Sequence, residues 1–174
     1  QIIIITVSSA MSGAYQMAKK AADLVKVPVS VVDARGPTMT VGWQVLAAAR
    51  ARDEGADLAA ILNRVEQVRS RLVQLVGMQT LEYLQKGGRI GNAIKWMGTM
   101  LQVKPLVSIN HQTGLVEPVG LVRTHKALVE MMYGKFFSRL GETQGLRVAV
   151  LHGNAPEEAE ALAQRIRAEY NPVE

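Results

Sequence analysis

An apolar, β-branched run opens the chain and constrains its fold more than any other feature. Residues 2–7 read Ile-Ile-Ile-Ile-Thr-Val and are followed by Ser8-Ser9-Ala10-Met11-Ser12. Such a run, leading into serines and then a helical pattern, predicts a buried strand, a hydroxyl-bearing turn and a helix N-terminus. Hydroxyls and backbone N–H groups meet at such a turn, where the helix dipole favours an anion. One serine that only caps the helix is the alternative, but three hydroxyls in five residues favour a site for a small carboxylate or phosphate.

Strand and helix patterns alternate through the first part of the chain. A helical pattern over 12–26 follows the opening run, and residues 28–34 form the next expected strand. Helices are predicted over 39–54 and from Asp57, as the cap, to about residue 72. This alternation predicts a parallel sheet with right-handed crossovers. Because two strands make an incomplete sheet and the chain begins inside a strand, we expect upstream strands and a longer parent protein.

The pattern changes near residue 72 to short helices and an antiparallel hairpin. The elements expected there are a strand at 73–78, helices at 80–86 and 92–101, hairpin strands at 104–110 and 115–123, a helix from Thr124 to about 140, a strand at 146–151 and a last helix. Asn154 and Glu157 fit a capping box at the start of that last helix. We therefore expect two domains: an incomplete parallel α/β lobe at 1–72 and an α+β lobe with antiparallel strands at 73–174.

Composition excludes several classes of function. The 174 residues include no cysteine, which excludes disulfides, thiolate catalysis and Cys-based metal sites and fits a reducing cytoplasm. The three histidines lack metal-ligand spacing and there is no HExxH, so we expect neither a metal nor another cofactor. The formal charge of +5 is scattered and aromatics make up only 5%. A scattered charge first indicates a solvated surface; the alternative is attraction to an acidic partner, to an anionic ligand or, transiently, to an anionic membrane surface. The few aromatics argue against nucleic-acid binding.

Four motifs, in order across nearly the whole chain, resemble those of one protein family. Residues 8–16 (SSAMSGAYQ) resemble an SSxxSGTYQ segment, and residues 80–90 (TLEYLQKGGRI) resemble TLEYLxKGGRI. Residues 104–106 (KPL), with residues 122–124 (VRT) after the hairpin, resemble KPI…VxxVRT, and residues 152–159 (HGNAPEEA) resemble HxxAPEEA. The sequence is thereby similar to the DegV family of bacterial fatty-acid-binding proteins.

The resemblance implies two α/β lobes with one long-chain fatty acid, such as palmitate, between them. It implies a lipid-binding protein that is not an enzyme and that presents the carboxylate to a separate fatty acid kinase. That kinase makes an acyl phosphate for phospholipid synthesis. The residues that the resemblance places at the carboxylate are Ser8, Ser9, Ser12 and Gly13, with Arg89 and His152 at the mouth of the headgroup site. Arg123 would belong to a basic surface that meets the kinase.

Apolar residues of the middle segment are candidates for lining the acyl chain. Burial of each CH₂ contributes roughly 0.8 kcal/mol, so a C16 chain offers on the order of 10 kcal/mol before ordering and association costs. The tail therefore supplies affinity, while the hydroxyls orient the carboxylate. Methionine suits a variable chain because its thioether is flexible. The candidates are Met78, Leu81, Leu84, Ile94, Met97, Met100 and Leu101, and ordinary core positions at helical spacing are the alternative.

Each polar candidate also has a purely structural interpretation. Gly87 and Gly88 can be a helix C-cap with Arg89 on the surface, and neighbouring backbone can satisfy His152. The competing function is a Ser/His hydrolase of acyl esters or acyl phosphates, with Asp33 as the nearest candidate carboxylate by chain order. The turn lacks the GxSxG elbow that projects a serine for attack, and no Walker-type loop occurs. The sequence therefore favours binding over catalysis.

Overall fold

A computed structural model describes residues 1–96 and 103–174. The mixed α/β class is confirmed, because the chain forms a parallel two-stranded sheet and an antiparallel three-stranded sheet. The elements in chain order are β1 (Ile2–Thr6), α1 (Ala14–Ala22), β2 (Val29–Asp33), α2 (Met39–Asp53), α3 (Leu58–Arg71), β3 (Leu75–Gly77), α4 (Glu82–Lys86), a 3-10 helix (Gly91–Trp96), β4 (Lys104–Asn110), β5 (Leu115–Val122), α5 (His125–Phe137) and α6 (Pro156–Tyr170).

The parallel sheet places the serine turn beside the end of β2. Strand β1 pairs with β2 in a register that runs from Ile2 opposite Val29 to Thr6 opposite Asp33. Since parallel strands end at the same edge of a sheet, Asp33 lies at the edge where the chain leaves β1 for the turn. Helix α1 ends at Ala22, earlier than the expected residue 26. The periodic pattern therefore overestimates the length of this helix.

The antiparallel sheet has the order β3-β4-β5, with the expected hairpin joining β4 and β5. The β4–β5 register shifts between Leu106 and Val107, which marks a bulge or irregularity. A buried cluster forms around this sheet, with partly buried side chains packed against it. Its buried members are Leu81, Ile90, Ala93, Val107, Ile109 and Val116. Leu81 and Ile90 of the motif at 80–90 belong to this cluster, and Met11 of the motif at 8–16 packs against it.

Two predicted helix caps are confirmed. The Asp57 carboxylate accepts a hydrogen bond of 2.8 Å from the Ala60 N–H, which is the usual capping geometry. The Thr124 hydroxyl accepts a hydrogen bond of 3.2 Å from the Ala127 N–H at the start of α5. Both caps satisfy N–H groups that the first turn of a helix leaves without an intrahelical partner.

The chain divides into two compact units, Gln1–Phe136 and Phe137–Glu174. This division differs from the expected domain boundary at 72/73, which falls between the elements of the parallel sheet and those of the antiparallel sheet. The boundary at 72/73 stays a prediction. In the second unit, the rings of Phe137 and Tyr170 stack with centroids 3.7 Å apart. This stacking holds the start of the unit against the end of α6.

Two predictions for the second unit are wrong. Residues 146–151 form no strand: Val148 donates to the Glu174 carbonyl and Val173 to the Leu146 carbonyl, without a continuous ladder. Apolar alternation produces a strand only where a neighbour pairs along its length. The capping box also fails, because Asn154 adopts a left-handed φ of 72° and the Ala155 N–H instead donates to His152 Nδ1 at 3.1 Å.

Candidate functional site

Ser8 joins the serine turn to the β4–β5 hairpin. Its side chain is fully buried, and its hydroxyl donates a 2.9 Å hydrogen bond to the Gly114 carbonyl. The same oxygen accepts a 3.2 Å hydrogen bond from the Ala10 N–H. A ligand carboxylate can accept from Ser8 only if the bond to Gly114 breaks. The observed contacts give Ser8 a structural task, which is to hold the turn in place.

Ser9 is exposed and faces a carboxylate. Its hydroxyl donates to Asp33 Oδ2 at 2.6 Å, and its N–H donates to Oδ1 at 3.2 Å. The Arg35 N–H donates to the same Oδ1 at 2.8 Å. Asp33 thus holds both the turn after β1 and the loop after β2. A bound anion at Ser9 would have to compete with Asp33 for the hydroxyl hydrogen.

The start of α1 lies next to these serines. Ser12 Oγ accepts a 3.2 Å hydrogen bond from the Ala14 N–H, and Gly13 occupies the N-cap position without a side-chain capping bond. The next N–H groups of the first turn have no intrahelical acceptor, and the helix dipole makes this end partly positive. The turn therefore combines an exposed hydroxyl, a bare glycine and an N-terminal dipole, which together favour an anion.

Arg89 contacts the serine turn from the segment that follows α4. Helix α4 ends in a Schellman motif: Gly88, at φ 71°, donates to the Gln85 carbonyl, and the Arg89 N–H donates to the Leu84 carbonyl. The structural interpretation of the glycine pair as a C-cap is thereby confirmed. The same turn directs Arg89 Nε to the Met11 carbonyl at 3.0 Å, across 78 residues of sequence. A second Arg89 nitrogen donates to the Gly87 carbonyl.

An apolar wall adjoins this polar cluster. Met11, whose carbonyl binds Arg89, packs against the buried cluster together with Met78 and Leu84. Met78, Leu84 and Trp96 are only partly buried, so they present apolar surface around the same buried cluster that Met11 contacts. The arrangement has the polarity of an amphiphile: hydroxyls, a helix N-terminus and a guanidinium at one end, and thioether and aliphatic groups at the other.

The other lining candidates lie in different environments. Leu81 is 1% exposed and belongs to the core, as the structural alternative expected, whereas Ile94 is 52% exposed. Met97, Met100 and Leu101 lie outside the described residues. Of the candidate lining residues, the structure therefore brings Met78 and Leu84 to the apolar wall.

The structure shows the local surroundings of two further predicted residues, His152 and Arg123. His152 belongs to the second unit, where its Nδ1 accepts the Ala155 N–H at the start of α6. Arg123 is exposed directly after β5, and none of the described residues forms a hydrogen bond or ion pair with it.

Sequence reasoning did not find the hydrogen bond between Ser8 and Gly114. The visible signal for this contact was the glycine at the tip of the predicted hairpin.

Two general properties of the described residues bear on function. No helix in ranges 1–96 and 103–174 combines the length and apolar character needed to cross a bilayer. Within the same ranges, His, Asp and Glu do not form a group of three that could hold a metal ion.

A family model matches the whole chain, as the order of the four motifs predicts. Residues 1–174 match the family model described as "uncharacterised protein, DegV family". The chain belongs to the DegV family. A DegV domain-containing protein of Deinococcus radiodurans is 30% identical over 97% of this chain and 59% of its own length. One of Streptomyces coelicolor is 34% identical over 95% of this chain and 58% of its own length. The chain thus spans about three fifths of these DegV relatives.

Solved structures of DegV proteins have the same fold. A DegV family protein from Thermus thermophilus, described by its fatty acid binding, superimposes with a TM-score of 0.84 at 31% identity. That match covers 99% of this chain and 61% of the other. DegV from Bacillus subtilis, described as a fatty acid binding protein, gives 0.81 at 26% identity, covering 97% of this chain and 61% of the other.

Proposed function

We propose that this chain binds one long-chain fatty acid, with the carboxylate at the serine turn and the acyl chain along the apolar wall. The observation that carries the proposal is the 3.0 Å bond from Arg89 to the Met11 carbonyl. It joins two of the four DegV motifs, one on each side of the expected 72/73 boundary, at the point where polar and apolar groups meet.

The polar end suits a carboxylate better than a neutral group. Arg89 is exposed and uses Nε and one terminal nitrogen for backbone carbonyls, so among the described residues its remaining nitrogen has no acceptor. A guanidinium offers carboxylates strong, charge-assisted hydrogen bonds. Ser12, Gly13 and the first turn of α1 add dipoles of the same sign. Ser8 supports this end through Gly114, and Ser9 contributes when its hydroxyl turns from Asp33 to the ligand.

The apolar end supplies the affinity. A C16 chain gains on the order of 10 kcal/mol from leaving water, before ordering and association subtract several kcal/mol. Met11, Met78 and Leu84 provide flexible and branched surfaces next to the polar end. The T. thermophilus and B. subtilis DegV proteins, both described by fatty acid binding, support the same ligand class.

We propose further that the bound fatty acid is presented to a separate fatty acid kinase in the cytoplasm, for acyl-phosphate formation. The family resemblance supports this role, and so does the exposed position of Arg123 after β5. A long, exposed and unpaired guanidinium is suited to an acidic partner surface. In this proposal His152 stays at the mouth of the headgroup site, as the resemblance implies.

The hydrolase alternative has no supporting geometry. Ser8 donates to a backbone carbonyl, Ser9 to a carboxylate, and Ser12 accepts a backbone N–H. None of these three hydroxyls shares a hydrogen bond with a histidine in the part of the chain that the structure describes. A serine nucleophile needs such a base within hydrogen-bond reach.

Mass spectrometry of an organic extract tests the ligand assignment. We expect the purified chain to release close to one fatty acid per molecule, held without a covalent bond. After delipidation, added palmitate should restore a one-to-one complex in native mass spectrometry. A purified chain that carries no fatty acid and takes up no palmitate would contradict the proposal.

The proposal predicts separate tasks for Ser9 and Arg123. Ser9→Ala should weaken palmitate binding only about threefold, because the ligand must share this hydroxyl with Asp33. Arg123→Ala should leave palmitate binding unchanged and lower the rate at which a fatty acid kinase phosphorylates palmitate loaded on the chain. Arg71→Ala, at an exposed arginine of α3, is the matched control for lost charge. Equal loss of palmitate from the Ser9 and Arg123 variants would refute this division.

A further inference from the structure

The Asp33 carboxylate holds a hydroxyl hydrogen that the proposed headgroup site needs. Asp33 Oδ2 accepts the Ser9 hydroxyl at 2.6 Å. A hydroxyl has a single hydrogen, so while this bond lasts Ser9 Oγ offers only lone pairs to any other group. A ligand carboxylate brings no hydrogen either, and at Ser9 one acceptor would face another. The structure therefore shows Ser9 in a state that does not bind an anion through its side chain.

Two backbone N–H groups fix the orientation of the Asp33 carboxylate. The Ser9 N–H donates to Oδ1 at 3.2 Å, and the Arg35 N–H donates to the same atom at 2.8 Å. Asp33 is also the last residue of β2 and lies opposite Thr6 of β1, so the parallel sheet holds its backbone. Oδ2 is thereby fixed beside the Ser9 hydroxyl. A ligand must move the hydroxyl, because the carboxylate is held from three sides.

The bond from the Ser9 hydroxyl adds little to the fold. The two bonds to Oδ1 already join the turn after β1 to the loop after β2, and Ser8 holds the same turn through the Gly114 carbonyl. Ser9 is exposed, so water can satisfy Oδ2 equally well. What the third bond does change is the direction in which the Ser9 hydrogen points.

We propose that Asp33 is a positioning residue that weakens carboxylate binding by withholding the Ser9 hydroxyl. This inference rests on the proposed function, because it assigns control of affinity to the same headgroup site. A ligand carboxylate gains a hydrogen bond from Ser9 only by breaking the one to Asp33, so the net gain is small. When the ligand leaves, Asp33 accepts the hydroxyl again. Such a site releases a fatty acid more readily than an unrestrained serine would, which suits a protein that passes its ligand on.

Asp33→Asn removes the competition with little change of shape. The amide oxygen stays on the two backbone N–H groups, because the amide nitrogen is itself a donor. That nitrogen then takes the place of Oδ2 and donates to Ser9 Oγ, which leaves the Ser9 hydrogen for the ligand. We expect Asp33→Asn to bind palmitate about fivefold more tightly at pH 7.5, mainly through slower dissociation. Displacement of a fluorescent fatty acid measures the affinity, and stopped-flow release measures the dissociation rate.

A double-mutant cycle separates the hydroxyl from the lost charge. In the Asp33→Asn background, Ser9→Ala should weaken palmitate binding about fifteenfold, against about threefold in the unaltered chain. The double variant should therefore bind palmitate about as weakly as Ser9→Ala alone. Asp23→Asn makes the same carboxylate-to-amide change at the exposed end of α1 and should leave palmitate affinity unchanged. An equal gain from Asp33→Asn with and without the Ser9 hydroxyl would show an effect of charge alone and overturn the proposal.

Two further measurements distinguish this inference from the proposed function. Hexadecanol brings its own hydroxyl hydrogen, which Ser9 Oγ can accept while Ser9 still donates to Asp33, so Asp33→Asn should not improve its binding. Urea unfolding should show that Asp33→Asn stays folded, since both bonds to Oδ1 are retained. Equal palmitate affinity in Asp33→Asn and the unaltered chain, or a lower one in the variant, overturns this inference and leaves the proposed function standing. Absence of palmitate binding in both chains overturns the proposed function, and this inference with it.

Discussion

Replacing Gly114 with alanine is expected to lower the free energy of unfolding by about 3 kcal/mol. Gly114 has a φ of 75°, a conformation that side chains with a Cβ rarely adopt. An added Cβ would lie 2.1 Å from Ser8 Oγ, which is far inside van der Waals contact. Ser8 is fully buried and cannot move without giving up its hydrogen bond to the Gly114 carbonyl. The substitution therefore combines backbone strain with a clash at the point that holds the serine turn.

Gly55→Ala is the matched control for this variant. Gly55 has a similar φ of 83°, but a Cβ there would meet no atom within 4 Å. We expect a loss of about 1 kcal/mol from the backbone conformation alone. Urea unfolding of both variants separates the two contributions. Equal destabilisation would contradict the contact between Ser8 and the hairpin tip.

Replacing Arg89 with methionine is expected to weaken palmitate binding about thirtyfold. The variant keeps an unbranched, apolar side chain but removes the charge next to the serine turn. A hydrogen bond between charged partners contributes more than a neutral one, and here the cation faces the proposed position of the carboxylate. Competition with a fluorescent fatty acid measures the change in affinity.

Two comparisons distinguish a ligand contact from a structural effect. Lys86→Met removes an equal charge from α4, the helix that precedes Arg89, and should change palmitate affinity little. Hexadecanol has the same tail as palmitate without the carboxylate, so its affinity should be nearly equal in Arg89→Met and in the unaltered chain. If both ligands lost affinity equally, Arg89 would act only by holding the Met11 carbonyl.

Local signals in the sequence predicted most of the elements correctly. The Ile run, the Asp57 and Thr124 caps and the hairpin depend on residues close to one another in the chain, so neighbouring residues were sufficient evidence. The strand expected at 146–151 failed because a strand requires a partner along its length. Its apolar alternation contains no information about whether such a partner is present.

The candidate site was predictable only in part. The motifs identified the serine turn and Arg89 as polar candidates, but they did not show that Ser9 donates to Asp33 or that Ser8 is fully buried. Both facts depend on contacts between residues far apart in the chain, 24 residues in the first case. Composition likewise could not distinguish Leu81 in the core from Met78 at the apolar wall.

The sequence by itself determined the family, the class of fold and the types of residue available for holding an anion and an apolar chain. These properties follow from short motifs and from the periodicity of apolar residues, which are local. Only the tertiary structure decided which hydroxyls support the fold and which face outward. It also placed Arg89 on the Met11 carbonyl. A hydrogen bond is made by whichever groups packing brings within about 3 Å, and their order along the chain does not fix that distance.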